Sequence, residues 1–326
     1  MTATSAPVLP PIRFFRINTH RKLAWWGSAL ACVLSVLGLV LCWLNPAIRV
    51  PLKPGLDFTG GTQIQVERQC APGQCTPITA ARVQERLSNL QLPDDDDGTP
   101  PPRLESIVVQ VLDQGKSLVL RLPALAPAQS AAVVTDLNAL AGPLLPTGTG
   151  VNTIGPTLGS QLLQNSVVSL VVSFAAIAVY IAFRYDRVFA FLALLCLAHD
   201  VLITCGVFAW LGLLRGVEVD SLFAVALITV AGYSVTDTVV VFDRIREQKT
   251  ALSLFPMRDQ VDVAVDATLT RSLYTSFTTL LPLLGLIFFG GASLYWFSVA
   301  LAIGIGVGSW SSIGLAPTLL PVFSRR

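Results

Sequence analysis

Charge is what this chain has least of. Only 13% of its 326 residues are charged, against 53% hydrophobic, and its mean hydropathy is +0.65. Soluble enzymes of this length are not so apolar, which places the chain among integral membrane proteins. The net charge of +2 is small and scattered, so no nucleic-acid surface is expected. Enzyme motifs are missing as well. There is no Walker-type Gly-rich loop followed by Lys, no His-Glu-x-x-His, and no Ser or Cys nucleophile paired with a base. Catalytic residues, a metal and an organic cofactor are therefore not expected. Cysteine is sparse: Cys32 and Cys42 fall in the first apolar run, Cys196 and Cys205 in a later one, and Cys70 and Cys75 in a polar region. Only the last pair sits where oxidation is available, and two readings stand: a small disulfide loop, or two free thiols in a surface hairpin. No second Cys/His pair lies nearby to make a zinc site.

Long apolar segments are what the chain has in quantity. A bilayer span takes about 20 residues, and six segments qualify: 23–44, 163–183, 189–213, 221–242, 272–289 and 294–322. The first follows a polar, Pro-rich segment, 1–22, that ends in Arg16, His20, Arg21 and Lys22. It is too long for a signal-peptide core and runs into Asn45-Pro46 without a cleavage pattern, so it reads as a retained helix. Basic residues recur at Arg184 and Arg187, in a loop at 243–271 carrying Arg244, Arg246, Lys249, Arg258 and Arg271, and at Arg325 and Arg326. With alternating spans all of these lie beside the N-terminus, and the positive-inside rule makes that side, with both termini, cytoplasmic.

The opposite side then carries one large region, 45–161. Gly61 to Glu67 alternates as a strand, Ile78 to Leu90 reads as an amphipathic helix, and Ile107 to Leu112 is strand-like. A turn at Asp113-Gln114-Gly115-Lys116 leads to a strand at Ser117 to Leu122, a helix at Pro127 to Leu140 and a last strand at Gly150 to Ile154. The order β-α-β-β-α-β is ferredoxin-like. The expected fold class is thus six transmembrane helices with an α+β ferredoxin-like extracytoplasmic domain between the first two, dividing the chain into 1–22, 23–44, 45–161 and 162–326. The acidic run Asp94 to Asp97 lacks the alternating ligands and distal Glu of a calcium loop and reads as solvated. Gly304, Gly306 and Gly308 lie within a span and read as close helix packing.

Asp237 is the residue that apolar surroundings explain least, because an acid inside a bilayer costs roughly 2.5–3.5 kcal/mol on insertion scales. It lies in the cytoplasmic third of the fourth span, since Asp243 and Arg244 mark where that helix leaves the membrane. Arg271, entering the fifth span from the same side, is the expected ion-pair partner. Ser234, Thr236, Thr275, Thr278 and Thr279 are expected to supply a polar lining. The plainer reading is a clamp between two helices. His199 and Asp200, mid-way along the third span, read equally as a packed pair or a proton path.

Several segments together resemble the SecD/SecF family of the resistance-nodulation-division superfamily. They are Gly55-Leu56-Asp57-Phe58-Thr59-Gly60-Gly61-Thr62, the His199-Asp200 step, Gly232 through Asp243, Arg244 and Glu247, and Arg271-Ser272-Leu273-Tyr274-Thr275-Ser276. The resemblance covers nearly the whole chain in the right order. It implies an accessory subunit of bacterial protein export in the plasma (inner) membrane that works with a SecD-like subunit and the SecYEG channel. Such a subunit uses the proton-motive force to complete movement of exported unfolded polypeptides, with protons as the coupling ion. By that similarity Asp237 and Arg271 fall on the family's functional intramembrane Asp and Arg. The chain departs in Thr236, where Asn is common, in Tyr274, where Thr or Met is more usual, and in the Cys70 to Cys75 insertion. Two rivals are half of a proton-driven small-molecule exporter of the same superfamily and a passive assembly factor.

Overall fold

A computed structural model describes residues 9–14, 16–70, 75–94, 101–104, 107–112 and 115–324, with the side chains of 156, 292 and 293 left out. The helices and strands follow in order as α1 (Arg21–Leu44), a one-turn α2 (Leu56–Thr59), β1 (Gly61–Glu67), α3 (Ala80–Ser88), β2 (Val108–Leu112), β3 (Ser117–Leu122), α4 (Pro127–Ala141) and β4 (Gly150–Ile154). Then come α5 (Pro156–Arg184), α6 (Arg187–Arg215), α7 (Ser221–Ala251), α8 (Met257–Phe289), α9 (Gly291–Trp310), a π-helical turn (Ser311–Leu315) and α10 (Ala316–Phe323). Among the described residues, six helical segments are long and apolar enough to cross a membrane, as expected. The chain divides into two compact units, one of Met1–Lys53 with Ser166–Arg326, the other Pro54–Asn165.

In the second unit, alternation of apolar residues makes one sheet face dry. The strand order is β2-β3-β1-β4, all neighbours antiparallel, which with the β-α-β-β-α-β succession is the ferredoxin-like topology. Ile64, Val66, Val109, Leu118 and Leu120 on that face pack with Val83 and Leu87 of α3 and Val133 and Leu137 of α4. The hairpin turn expected at 113–116 and the acidic run at 94–97 fall partly outside the described residues. Cys70 and Cys75 are bridged, so of the two readings the disulfide loop is the one found. Beside it the buried Arg68 donates from Nε to the Ala141 carbonyl and from Nη1 to those of Gly115 and Thr76, tying three segments together.

The paired glycines after α2 have a definite geometric role. Gly60 has φ +71° and Gly61 φ +130°, both unfavourable for a side chain. A Cβ on Gly61 would also lie 2.7 Å from the Leu122 carbonyl oxygen. Gly159 of α5 meets the same turn, where a Cβ would approach Gly60 N to 2.9 Å. The first turns of α5 therefore belong with the sheet, which puts the unit boundary near 165 rather than at the expected 161.

In the first unit, small residues let helices approach closely. Gly38 of α1 lies under Trp210 of α6, whose Nε1 donates to the Leu34 carbonyl at 2.9 Å, and Gly206 of α6 abuts Ser35. Gly304 of α9 abuts Val230 of α7, and Gly308 faces Ser234, in line with the packing role expected of them. Gly306 meets nothing within 4 Å, so it is no part of that seam.

The expected loop at 243–271 is mostly helical. α7 continues to Ala251 and α8 begins at Met257, because good helix formers carry both helices past their apolar stretches. The start of α8 is buried and holds the N-terminal segment. Asp266 accepts from the backbone N–H groups of Arg13 (2.9 Å) and Phe14 (2.8 Å), and Asp262 accepts from Asn18 N (3.0 Å) and Nδ2 (2.8 Å).

Gly61→Ala should lower the stability of the sheet unit by roughly 1–3 kcal/mol through backbone strain, read as a shifted unfolding midpoint of the purified protein. Gly155→Ala, where nothing lies within 4 Å and φ is ordinary, should leave it unchanged. Alkylation under denaturing conditions should label Cys32, Cys42, Cys196 and Cys205 before reduction and all six cysteines after it.

Candidate functional site

Besides Asp262 and Asp266 near the start of α8, two acids of the long helices are buried among the described residues. Asp237, 8% exposed on α7, accepts from Ser272 Oγ of α8 at 2.9 Å and from Ser312 Oγ of the π-helical turn. Asp200, with no exposure on α6, accepts from Ser234 Oγ of α7 at 2.5 Å and from Ser311 Oγ at 2.7 Å. His199 Nδ1 lies 2.7 Å from its other oxygen. The opposite ring nitrogen of His199, Nε2, is buried without a partner among the described residues. A third knot of hydroxyls joins Ser276 of α8 to Ser309 of α9 and to Tyr233 of α7, the last at 2.9 Å.

The helices build this from three faces. On α7, Ser234 and Asp237 are three residues apart and share the buried side. On α8, Ser272 and Ser276 are one turn apart and mark the inward stripe of the part beyond Leu269, where the helix is mostly exposed. The π-helical turn supplies Ser311 and Ser312. Turns of that kind occur mostly as single insertions in α-helices, often at functional sites.

Arg271 does not pair with Asp237. It lies within α8, well past the helix start at Met257, and its side chain is exposed, with no ion pair among the described residues. The reason is rotation: successive residues of a helix diverge by roughly 100°, and Ser272, the next residue, takes the place against Asp237. Ser234 serves Asp200 rather than Asp237. Thr236, Thr275, Thr278 and Thr279 do not line the acid either. They are exposed or part-exposed, and each donates to a carbonyl one turn back in its own helix at 2.7–3.1 Å. That is how hydroxyls are satisfied where water is absent.

Sequence reasoning missed Ser272, Ser309, Ser311 and Ser312. The i, i+4 spacing of Ser272 and Ser276 was the one available signal, because both fall on the same face one turn apart.

At one end of the helices Asp243 accepts from Tyr185 Oη at 3.0 Å, with Arg184 and Arg246 at 3.9 and 3.8 Å from its carboxylate. Both guanidinium groups also lie over the Tyr185 ring. Burial, with help from the Asp243 hydrogen bond, pushes the Tyr185 phenol up to about 12, so it stays a neutral donor. Arg244 instead pairs with Glu247 at 2.6 Å.

Two family models match the chain. "Protein export membrane protein SecD/SecF, C-terminal" covers residues 146–326, and "SecD/SecF GG Motif" covers residues 50–72, which include the positive-φ Gly60–Gly61 turn. A protein translocase subunit SecF of Prochlorococcus marinus is 52% identical over 306 residues, 94% of each chain. One of Synechocystis is 40% identical over 300 residues, 91% of this chain and 90% of its own. Among solved structures, a crystal structure of SecDF from Thermus thermophilus superposes with a TM-score of 0.77 at 28% identity. The match covers 98% of this chain but only 40% of that longer one. With a family model over more than half of its length and SecF relatives along nearly all of it, the chain belongs to the SecD/SecF family of protein-export membrane proteins.

Proposed function

We propose that this multi-pass membrane protein is an accessory subunit of the Sec export machinery in the bacterial inner membrane. Both its termini are cytoplasmic, and it uses the proton-motive force, together with a SecD-like subunit, to complete polypeptide movement through the SecYEG channel. The observation that carries the reading is Asp237, buried in a span with hydroxyls and, among the described residues, no cation against it. A hydrogen bond to a charged group contributes about 1.5–3 kcal/mol, so Ser272 and Ser312 together offset an insertion cost of similar size. Binding a proton removes the charge that these donors serve, and with it the reason for α8 and the π-helical turn to stay in place.

The size of the driving force bounds what one proton does. Across about 150 mV it releases roughly 3.5 kcal/mol, while inverting a two-state element from 1:99 to 99:1 takes about 5.5 kcal/mol. Two arrangements of α7 and α8 therefore have to lie close in free energy.

A partner is supported by the outward face of α7 and α8. Thr229, Gly232 and Thr236 fall on one exposed stripe of α7, and Arg271, Thr275 and Thr278 on the exposed side of α8. A guanidinium facing hydrocarbon is costly; one facing another subunit or a wet path between subunits is not. The single-chain SecDF relative joins a SecD part to its SecF part, which favours a SecD-like subunit on this face. Arg271 then answers a carboxylate of that subunit instead of Asp237.

Asp237→Asn should insert and assemble normally yet lose the proton-driven component of export in membrane vesicles; undiminished stimulation by a proton gradient would contradict the reading. Cysteines placed at Thr236 and Thr275 should cross-link to a co-purifying SecD-like chain, and Arg271→Leu should weaken that co-purification several-fold. Labelling of those cysteines by lipid-soluble reagents alone, with no partner captured, would count against the assigned face.

A further inference from the structure

The π-helical turn places two adjacent hydroxyls on two different acids. Ser311 reaches Asp200 on α6 at 2.7 Å, and Ser312 reaches Asp237 on α7. Each serine also has a second acceptor in its own helix: Gly308 O at 3.1 Å for Ser311 and Ser309 O at 3.1 Å for Ser312. A hydroxyl has one proton to donate and serves one acceptor at a time. Each serine is thus a two-position element, turned toward a carboxylate or folded back on the backbone. Because the two are neighbours in one turn of irregular helix, a shift of either is transmitted to the other through a single peptide unit.

We propose that Ser311 and Ser312 are positioning residues that tie the His199–Asp200 pair to Asp237, so that a proton taken up at either acid changes the hydrogen bonding of the other. This rests on the reading of Asp237 as the proton-binding group. The groups facing each acid are few. Asp200 meets His199 on its own helix, Ser234 from α7 and Ser311 from the turn, with the thiols of Cys32 on α1 and Cys196 on α6 in electrostatic reach. Asp237 meets Ser272 from α8 and Ser312 from the turn. The absence of a side chain at Gly308 leaves room for the arrangement, since a Cβ there would lie 3.5 Å from Asp200 Oδ2 and 3.3 Å from Ser234 Cβ. His199 Nε2, buried and without a partner among the described residues, is the open position at which a proton can enter the pair. Coupling between two sites is reciprocal by necessity, so the link has to be visible from both ends.

The test is infrared difference spectroscopy of the purified protein in lipid, with carboxyl bands assigned by their loss in Asp200→Asn and Asp237→Asn. Ser311→Ala, which removes a contact to Asp200 only, is expected to shift the Asp237 band. Ser312→Ala is expected to shift the Asp200 band. Ser311→Thr, which keeps the hydroxyl, is expected to restore the wild-type Asp237 band. If each alanine moves only the band of the acid its own hydroxyl touched, the tie does not exist. If threonine fails to restore the band, packing and not the hydroxyl is responsible, and the proposal falls. The readout needs no export, so an Asp237→Asn variant that exports normally would remove the proposed function while leaving this coupling to be decided by the spectra.

Discussion

A carboxylate held inside apolar helices by serine hydroxyls, with no cation against it among the described residues, is the constraint on which the rest of this structure depends. Ser272 and Ser312 fix α8 and the π-helical turn to Asp237 on α7, while Ser234 and Ser311 fix α7 and the same turn to Asp200 on α6. Helix contacts elsewhere are made by small residues against larger ones, as at Gly38 with Trp210 and Gly304 with Val230. Those seams are non-directional and stay the same whatever the charge state. The hydroxyl contacts are directional, and they lose about half of their strength when the acceptor is neutral. A charge change at one atom is therefore converted into a change in which helices are held together.

An ion pair in the same place would behave differently. A buried carboxylate–guanidinium pair is costly to break from either side, and removing one partner leaves an uncompensated charge. Hydroxyls carry no charge, so neutralising Asp237 leaves no charge stranded, and Ser312 has the Ser309 carbonyl at 3.1 Å to fold back on. Such a site can change state for a few kcal/mol, within what a proton crossing a membrane potential supplies. Arg271, turned outward on α8, is left for what lies beyond the chain.

Much of this was legible in the amino-acid order, and the limits have physical causes. The spans and the β-α-β-β-α-β unit were readable because burial imposes periods of 3.6 and 2 on apolar residues. β1, β3 and β4 have the expected ends, and β2 starts one residue later. The ends of α7 and α8 were not readable, because hydropathy reports where a helix leaves lipid and not where it stops. Asp237 and Arg271 do lie at comparable levels along α7 and α8, since Ser272 reaches Asp237, but they do not pair. Depth follows from counting residues, but which way a side chain points depends on helix rotation, which one substitution of neighbour, Ser272 for Arg271, reverses. The serines were silent for another reason: in apolar helices most hydroxyls bond their own backbone, as Thr236, Thr275 and Thr278 do. Nothing in the sequence separates them from the few that reach across.

The central claim is that charge on Asp237 holds α8 in place. Its most direct measurement is the distance between spin labels at the far ends of α6 and α8, at the exposed Leu214 and Phe289, in a background without free cysteines. Recorded in lipid across a pH series, the distance distribution is predicted to pass between two populations, and Asp237→Asn is predicted to hold it in the low-pH one at every pH. A single distribution, the same at all pH values and unmoved by Asp237→Asn, would contradict the account.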